Sequence, residues 1–508
     1  MKLLICICLL LTSVAAFASA KPNIIVILAD DLGYADVGFH DIVADGIHTP
    51  NLDRLADSGT VFHNAYSSSP ICSGARLSLQ TGRYGQRWGA YFYNEGGLPN
   101  EEQSISEMLL EAGYSTMKVG KTHLNKGPKE HPLKHGFEHW LGFIHHSWDF
   151  HLLSSKDVTA YDRKRKGSAR AFRTSPIGPL TRDNNKKESY EGMTTTEVFA
   201  NEACKFVAAQ STDKPFYLQL EFNAVHTVMT RPPNKELAKK YNLPERPFDR
   251  DAEVWEFPIW DPVAQEGKNV DWYKKVAHLG ALDPYGRKLY LAYLEEMDAA
   301  IGRLMQTLAE TGQTENTIVF FSSDNGGSDQ SYANNGPLNA YKYCLMDGGI
   351  KVPMILSWPG NLPPNEKVDA VVTHRDLFPT LADITELSPK GTLDGKSLMP
   401  LIMGKVDRLH ENPIFWDAGR QGNWVARQGK WKLVRANLKR YKSYELDSNG
   451  LVTEFNTVIV PKGLRLYDME ADPGETKDLS KEMPEKVASL QKEYDNWRAQ
   501  MANPGRAK

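Results

Sequence analysis

Apolar residues along the 508-residue chain fall into two patterns. Short, largely apolar runs recur, the first being Asn23-Ile24-Ile25-Val26-Ile27-Leu28-Ala29, with others at residues 114–119, 215–222, 317–321 and 353–357. Runs of this length suit parallel strands covered on both faces. Between them lie amphipathic stretches at residues 104–112 and about 285–311. In the longer one, Leu294, Met297, Ile301, Leu304 and Leu308 recur at helical spacing and form a core stripe. Strands alternating with helices predict an α/β fold, a large, mostly parallel sheet flanked by helices.

Near residue 404 the pattern changes. Short alternating segments at 413–416, 423–427, 430–435 and 465–468 precede a final helical stretch at about 484–501. They predict a smaller C-terminal subdomain of antiparallel sheet plus one helix. The expected division is a main α/β domain over residues 21–404 and an α+β subdomain over 405–508, with insertions at about 150–190 and 230–280. The first insertion is polar and carries Arg163-Lys164-Arg165-Lys166, Arg170, Arg173, Arg182, Lys186 and Lys187. It reads as a solvated surface segment or as a basic rim for an anionic polymer. The second is rich in Pro and Trp.

Met1-Lys2, an apolar run from Leu3 to Phe17, and Ala18-Ser19-Ala20 have the order of a secretory signal peptide. Residues 1–20 are therefore expected to be removed on export, leaving a secreted or periplasmic chain with no membrane span. The formal net charge is −3, so no global basic field points to nucleic acid. Two of the five cysteines, Cys6 and Cys8, lie in the leader. Cys72, Cys204 and Cys344 remain, too few and too odd in number for a disulfide scaffold. Cys204 falls in an apolar helical stretch and reads as core, whereas Cys344 carries no evident role.

Ligands bind beyond the carboxyl ends of strands in open parallel sheets. Here those ends carry Asp30-Asp31, Lys121-Thr122-His123, His226 and Asp324-Asn325-Gly326-Gly327. Each alone would pass for a turn or a cap; four at one edge point to a site. Asp30, Asp31, Asp324 and Asn325 offer only oxygen, which suits a hard cation such as calcium or magnesium rather than zinc. Lys121 and Lys342 would neutralise an oxyanion, and His123 and His226 would move protons. Together they suit attack on a tetrahedral anionic ester.

Cys72 lies where a Ser-, Gly- and Pro-rich loop turns into a short helix, with Arg76 one turn along. A helix N-terminus favours a developing anion there. Cys72-Ser73-Gly74-Ala75-Arg76 followed by Thr81-Gly82-Arg83 resembles the Cys-x-Pro-x-Arg pattern of the type I, formylglycine-dependent sulfatases of the alkaline-phosphatase superfamily, with Gly74 in place of proline. Gly113-Tyr114-Ser115-Thr116 through Gly120-Lys121-Thr122-His123 matches a second family pattern. Asp30-Asp31-Leu32-Gly33, Ser323-Asp324-Asn325-Gly326-Gly327 and the C-terminal Leu466-Tyr467-Asp468 with Asp472-Pro473-Gly474-Glu475 match as well. Around Lys342 the family's Asn-x-Pro-Leu-Arg-Gly-x-Lys reads Asn335-Gly336-Pro337-Leu338-Asn339-Ala340-Tyr341-Lys342.

The resemblance spans essentially the whole mature chain and implies a sulfatase whose Cys72 is oxidised to formylglycine by a formylglycine-generating enzyme. It implies one Ca2+ per chain, held by Asp30, Asp31, Asp324 and Asn325 beside residue 72. Arg76 would steady the aldehyde hydrate, and Lys121 and Lys342 would grip sulfate oxygens. One hydroxyl of the hydrate would attack sulfur, assisted by Asp324, with His226 and Lys121 protonating the leaving alcohol. His123 would then take the second hydroxyl's proton, expelling sulfate without water attack at sulfur.

The segment at residues 140–151, with His145, His146, Trp148 and His151, combines aromatic faces with polar tips, as a sugar pocket does. It reads equally as a loop packed on the core. The expected substrate is a sulfated polysaccharide or oligosaccharide of algal galactan or glycosaminoglycan type. Two alternatives stand beside it: a phosphonate monoester or phosphodiester hydrolase of the same superfamily, and an inactive binder of sulfated glycans.

Overall fold

Uninterrupted apolar character makes the first run a central strand, β1 (Asn23–Ala29), buried at every position. The computed structural model describes residues 21–92, 97–124, 131–144, 150–152, 180–184, 186–226, 229, 231–245, 284–419 and 422–502. Alternate β1 residues point to opposite faces. Ile25 and Ile27 join one apolar cluster, where α1 (Pro50–Asp57), α4 (Thr195–Ala208) and α5 (Gly286–Glu310) pack. Ile24, Val26 and Leu28 join another on the opposite face, with α3 (Ile105–Glu111) and α6 (Leu377–Ile384). The stripe expected along α5 is buried from Leu294 to Leu308. Local signals set the helix starts: Ser104 and Glu107 close a capping box on α3, and the Thr194 side chain accepts from the Glu197 amide at the head of α4.

Downstream of β1, strands β2 (Gly59–Phe62), β4 (Ser115–Lys121), β5 (His139–Phe143), β6 (Leu180–Arg182) and β7 (Lys186–Glu188) enter the main sheet. So do β8 (Phe216–Glu221), β9 (Thr317–Ser323), β10 (Met354–Ser357) and β11 (Glu366–Val368). A separate pair joins β3 (Ala65–Tyr66) to β12 (Val372–Thr373). The ten-stranded order is β11-β2-β10-β9-β1-β8-β4-β5-β6-β7. The contiguous strands β9, β1, β8, β4 and β5 run parallel.

The sheet is mostly parallel as expected, and its antiparallel pairs lie on the flanks: β10 is antiparallel to both β9 and β2, and β6 and β7 are antiparallel to their neighbours. The cause is connectivity. The loop that leaves β9 stays at that strand's carboxyl edge and feeds β10 directly, whereas a parallel strand would need a crossover back to the other edge.

The C-terminal sheet joins β13 (Ile414–Asp417), β14 (Trp424–Gln428), β15 (Trp431–Ala436) and β18 (Gly463–Asp468), all antiparallel. Helix α7 (Pro484–Arg498) lays Leu490, Tyr494 and Trp497 against Phe415, Trp424 and Leu433. A hairpin, β16 (Lys439–Leu446) with β17 (Val452–Val460), leaves this sheet. Its polar residues on both faces gave no apolar alternation from which to read it. Trp416 fixes the sheet to the main domain, donating its indole N–H to the Ser67 carbonyl at 2.7 Å. No helix among the described residues is long and apolar enough to cross a membrane.

Candidate active site

The carboxyl ends of the parallel strands converge as expected. The β1 end is stitched to the loops after β8 and β9: the Asp30 amide donates to the Ala224 carbonyl at 2.9 Å, and the Asp324 amide donates to the Ala29 carbonyl at 3.0 Å. Asp31 and His123 both adopt left-handed backbone, with φ of 61° and 42°. A non-glycine residue is seldom found there, and such conformations concentrate at functional sites. Two glycine motifs bring in the Lys342 loop. A Cβ on Gly326 would lie 2.1 Å from the Gly348 carbonyl oxygen, so only glycine lets the Asn325-Gly326-Gly327 and Asp347-Gly348-Gly349 backbones meet.

Helix α2 (Cys72–Thr81) begins at Cys72, after Ile71 in extended conformation. Around the thiol the side chains are buried. Lys342 Nζ lies 3.1 Å from Cys72 Sγ and 2.6 Å from Asp31 Oδ1. Cys72 Sγ lies 3.5 Å from Asp30 Oδ1, and Lys121 Nζ is paired with Asp30 Oδ2. Asn325 Nδ2 donates to Asp31 Oδ1 at 2.7 Å, and the Asp31 amide donates to Asp324 Oδ1 at 3.3 Å. His226 Nε2 lies 3.6 Å from Asp31 Oδ2. Thus Cys72, Asp30, Asp31, Asp324, Asn325, Arg76, Lys121, His226 and Lys342 come together from separate parts of the sequence. His123 lies two residues beyond Lys121, is buried, and donates its amide to the Ile144 carbonyl at 2.8 Å.

The electrostatics follow from burial among mixed charges. Burial opposes the charged form of Asp30, yet Lys121 and His226 outweigh it and hold the carboxyl below its ordinary value. Burial would lower Lys342, but Asp31 and Cys72 hold it well above the usual lysine range. Burial and Lys342 depress His226. Burial, reinforced by Asp324, pushes the Cys72 thiol far up, against the lowering expected from a helix N-terminus. Desolvation outweighs the dipole here, so the unmodified residue is a thiol and a poor nucleophile.

The oxygen set fits a hard cation. Asp31 Oδ2 and Asn325 Oδ1 are buried without a hydrogen-bond partner, although unsatisfied buried oxygens are costly. Ligand atoms of Asp30, Asp31, Cys72 and His226 all lie within 4.8 Å of one another. That group holds two carboxylates, a thiol and an imidazole; with the free Asn325 Oδ1 beside it, the oxygens are of the kind calcium or magnesium takes.

Two participants escaped sequence reasoning. Arg76 NH1 donates to Glu221 Oε2 at 2.6 Å, and Lys118 Nζ lies 2.7 Å from that same oxygen. Glu221 and Lys118 lie inside strands β8 and β4, within runs that read as apolar; a charged pair in a fully covered sheet is the signal that could have found them. Of the expected sugar contacts, His145, His146 and Trp148 lie outside the described residues. His151 is buried, with Nε2 3.1 Å from the Pro232 carbonyl and its ring against Tyr293. Burial lowers its pKa to about 4.

Comparison with known proteins agrees with this geometry. The family model Sulfatase matches residues 22–387, and a model described as N-sulphoglucosamine sulphohydrolase, C-terminal, matches residues 341–500. N-acetylgalactosamine-6-sulfatase of Canis lupus familiaris is 30% identical over 425 residues, covering 80% of this chain and 70% of that protein. Arylsulfatase G of Homo sapiens is 28% identical over 483 residues, covering 91% and 83%. The crystal structure of Ps i-CgsB in complex with k-i-k-neocarrahexaose matches with a TM-score of 0.74 at 28% identity, covering 95% of this chain and 94% of that one. The chain belongs to the sulfatase family and is a sulfuric ester hydrolase.

Proposed function

We propose that the enzyme removes sulfate from a sulfated polysaccharide or oligosaccharide through formylglycine made from Cys72, with calcium held by Asp30, Asp31, Asp324 and Asn325. The carrying observation is Lys342 Nζ, which lies 3.1 Å from Cys72 Sγ and 2.6 Å from Asp31. It joins the nucleophile position to the oxygen cluster. The glycan assignment draws on relatives named for N-acetylgalactosamine 6-sulfate and on a neighbour solved with k-i-k-neocarrahexaose.

Formylglycine, once formed, supplies a hydrated aldehyde as nucleophile. A bound divalent cation would neutralise charge on the sulfate oxygens. The remaining work belongs to the chain. Lys342 lies beside position 72 and Lys121 is paired with Asp30 next to it, so their charges would each draw a sulfate oxygen. In this reading Asp324, gripped by Arg76, takes the proton of the attacking hydroxyl. His226 with Lys121 delivers a proton to the departing alcohol, and His123 accepts the one that resets the site. Residues 1–20 are taken as an export signal, which places maturation by a formylglycine-generating enzyme on the export route.

Side-by-side turnover of aryl sulfate, defined sulfated oligosaccharides and a phosphodiester tests the reading, together with mass analysis of the peptide carrying residue 72. Formylglycine and turnover of sulfated oligosaccharide are expected. An unmodified thiol in protein from the native host, with no sulfate release, overturns it. Chelation followed by calcium or magnesium add-back identifies the ion: calcium is expected to restore both activity and thermal midpoint.

A further inference from the structure

We propose that Glu221 is a positioning residue for catalysis: with Lys118 behind it, it decides which carboxylate Arg76 serves. Arg76 is surrounded by three acids. Its Nε and NH2 both donate to one oxygen, Asp324 Oδ2, at 2.9 and 2.7 Å. Its NH1 donates to Glu221 Oε2 at 2.6 Å, and its NH2 lies 3.9 Å from Asp30 Oδ1. Holding Asp324 through Oδ2 turns Oδ1 toward the Asp31 amide.

Glu221 is itself clamped. Gln219 Nε2 donates to its Oε1, and Lys118 Nζ lies 2.7 Å from its Oε2. Arg76, Lys118 and Glu221 are all buried, so no water replaces a lost partner cheaply. Without the Glu221 charge, NH1 keeps no strong acceptor. Beyond Asp324, which Nε and NH2 already hold, the other carboxylate near the guanidinium is Asp30, 3.9 Å from NH2 and paired with Lys121. A guanidinium that turned toward Asp30 would release Asp324 and compete for the oxygens of the cation cluster. Lys118 balances the Glu221 charge, so the pair orients Arg76 without adding net negative charge beneath the site. Burial brings Lys118 down to about 8 while Glu221 opposes that fall.

This rests on the proposed role of Asp324 beside position 72, which wild-type formylglycine content and turnover test separately. The experiment compares Glu221→Gln, Glu221→Asp and Lys118→Met with wild type. Turnover of an aryl sulfate is normalised to formylglycine content by peptide mass, and calcium affinity is read from thermal midpoint against calcium concentration. Outer-sphere partners of metal and catalytic groups typically matter by about 10–100-fold. Glu221→Gln is expected to lower kcat by about tenfold or more, with KM within about twofold, and to weaken calcium binding. Glu221→Asp is expected to recover part of both, which keeps the test decisive if the amide variant does not fold. Lys118→Met, which leaves the Arg76 contact in place, is expected to lower the thermal midpoint more than kcat. A Glu221 variant of reduced thermal midpoint but wild-type kcat per formylglycine and wild-type calcium affinity overturns the proposal.

Discussion

At position 72 a buried thiol sits among lysines that favour its ionisation, with burial and carboxylates outweighing them. Its pKa is pushed up, while Lys342 stays protonated against Asp31 and Cys72. Such surroundings suit a group that gains charge only during reaction, because the stabilising cation is already in place. Lys342→Ala is expected to lower kcat by about 10²–10³, as loss of one oxyanion donor does, with formylglycine content unchanged by peptide mass. Turnover per formylglycine near wild type would remove Lys342 from the site. Most of this cluster was legible because Asp30-Asp31, Lys121 and Asp324-Asn325 sit in short motifs at strand ends. Glu221 and Lys118 were not, because strand periodicity reports where a side chain points and not which charge faces it across the sheet. Nor did sequence reveal the raised thiol pKa, which follows from burial that only the assembled fold creates.

Helix α2 is the element on which that cluster is built, and its first turn has an unusual fit. A Cβ on Gly74 would lie 2.6 Å from Ser69 Oγ and 2.8 Å from Ser69 Cβ. The loop preceding the helix therefore occupies the space that a larger residue at position 74 would need. Gly74→Ala is expected to cost about 1–3 kcal/mol through overpacking, outweighing alanine's better helix propensity. Ser69→Gly should make room, so the Ser69→Gly/Gly74→Ala double variant is expected to be more stable than the sum of the single changes predicts. Chemical denaturation of the four proteins checks this; additive effects would show that the two positions do not share space. The alternating β and α elements were readable because each buries a continuous apolar face. The direction of β10 was not, since an antiparallel and a parallel buried strand carry the same apolar run and differ only in how the chain reaches them.

Across the whole molecule, the C-terminal sheet is tied to the Lys342 loop by buried charge. Lys432 on β15 lies 2.5 Å from Asp347 Oδ1 and 2.8 Å from Glu475 Oε1, and the Asp347 amide donates to Glu475 Oε2 at 2.7 Å. Tyr66 donates to Asp347 Oδ2 at 2.7 Å. This gives the C-terminal Asp472-Pro473-Gly474-Glu475 motif a physical role: it delivers a carboxylate to the base of the loop that carries Lys342. Removing one partner of a buried pair strands the other charges, so Lys432→Met is expected to cost about 3–5 kcal/mol and to lower turnover by loosening the loop. Burial raises Glu475 to about 7, with Lys432 opposing and Asp347 reinforcing the rise. An acid with a raised folded-state value holds its proton after the unfolded chain has released it. Its contribution to stability is therefore lost as pH climbs from the ordinary 4.5 to about 7. Glu296, raised to about 7, and Asp329, raised to about 6, slope the same way. Glu475→Gln should thus flatten this decline in part rather than abolish it. Thermal midpoints of wild type and Glu475→Gln across that pH range decide the matter: parallel curves would mean that Glu475 is already ionised in its buried place beside Lys432.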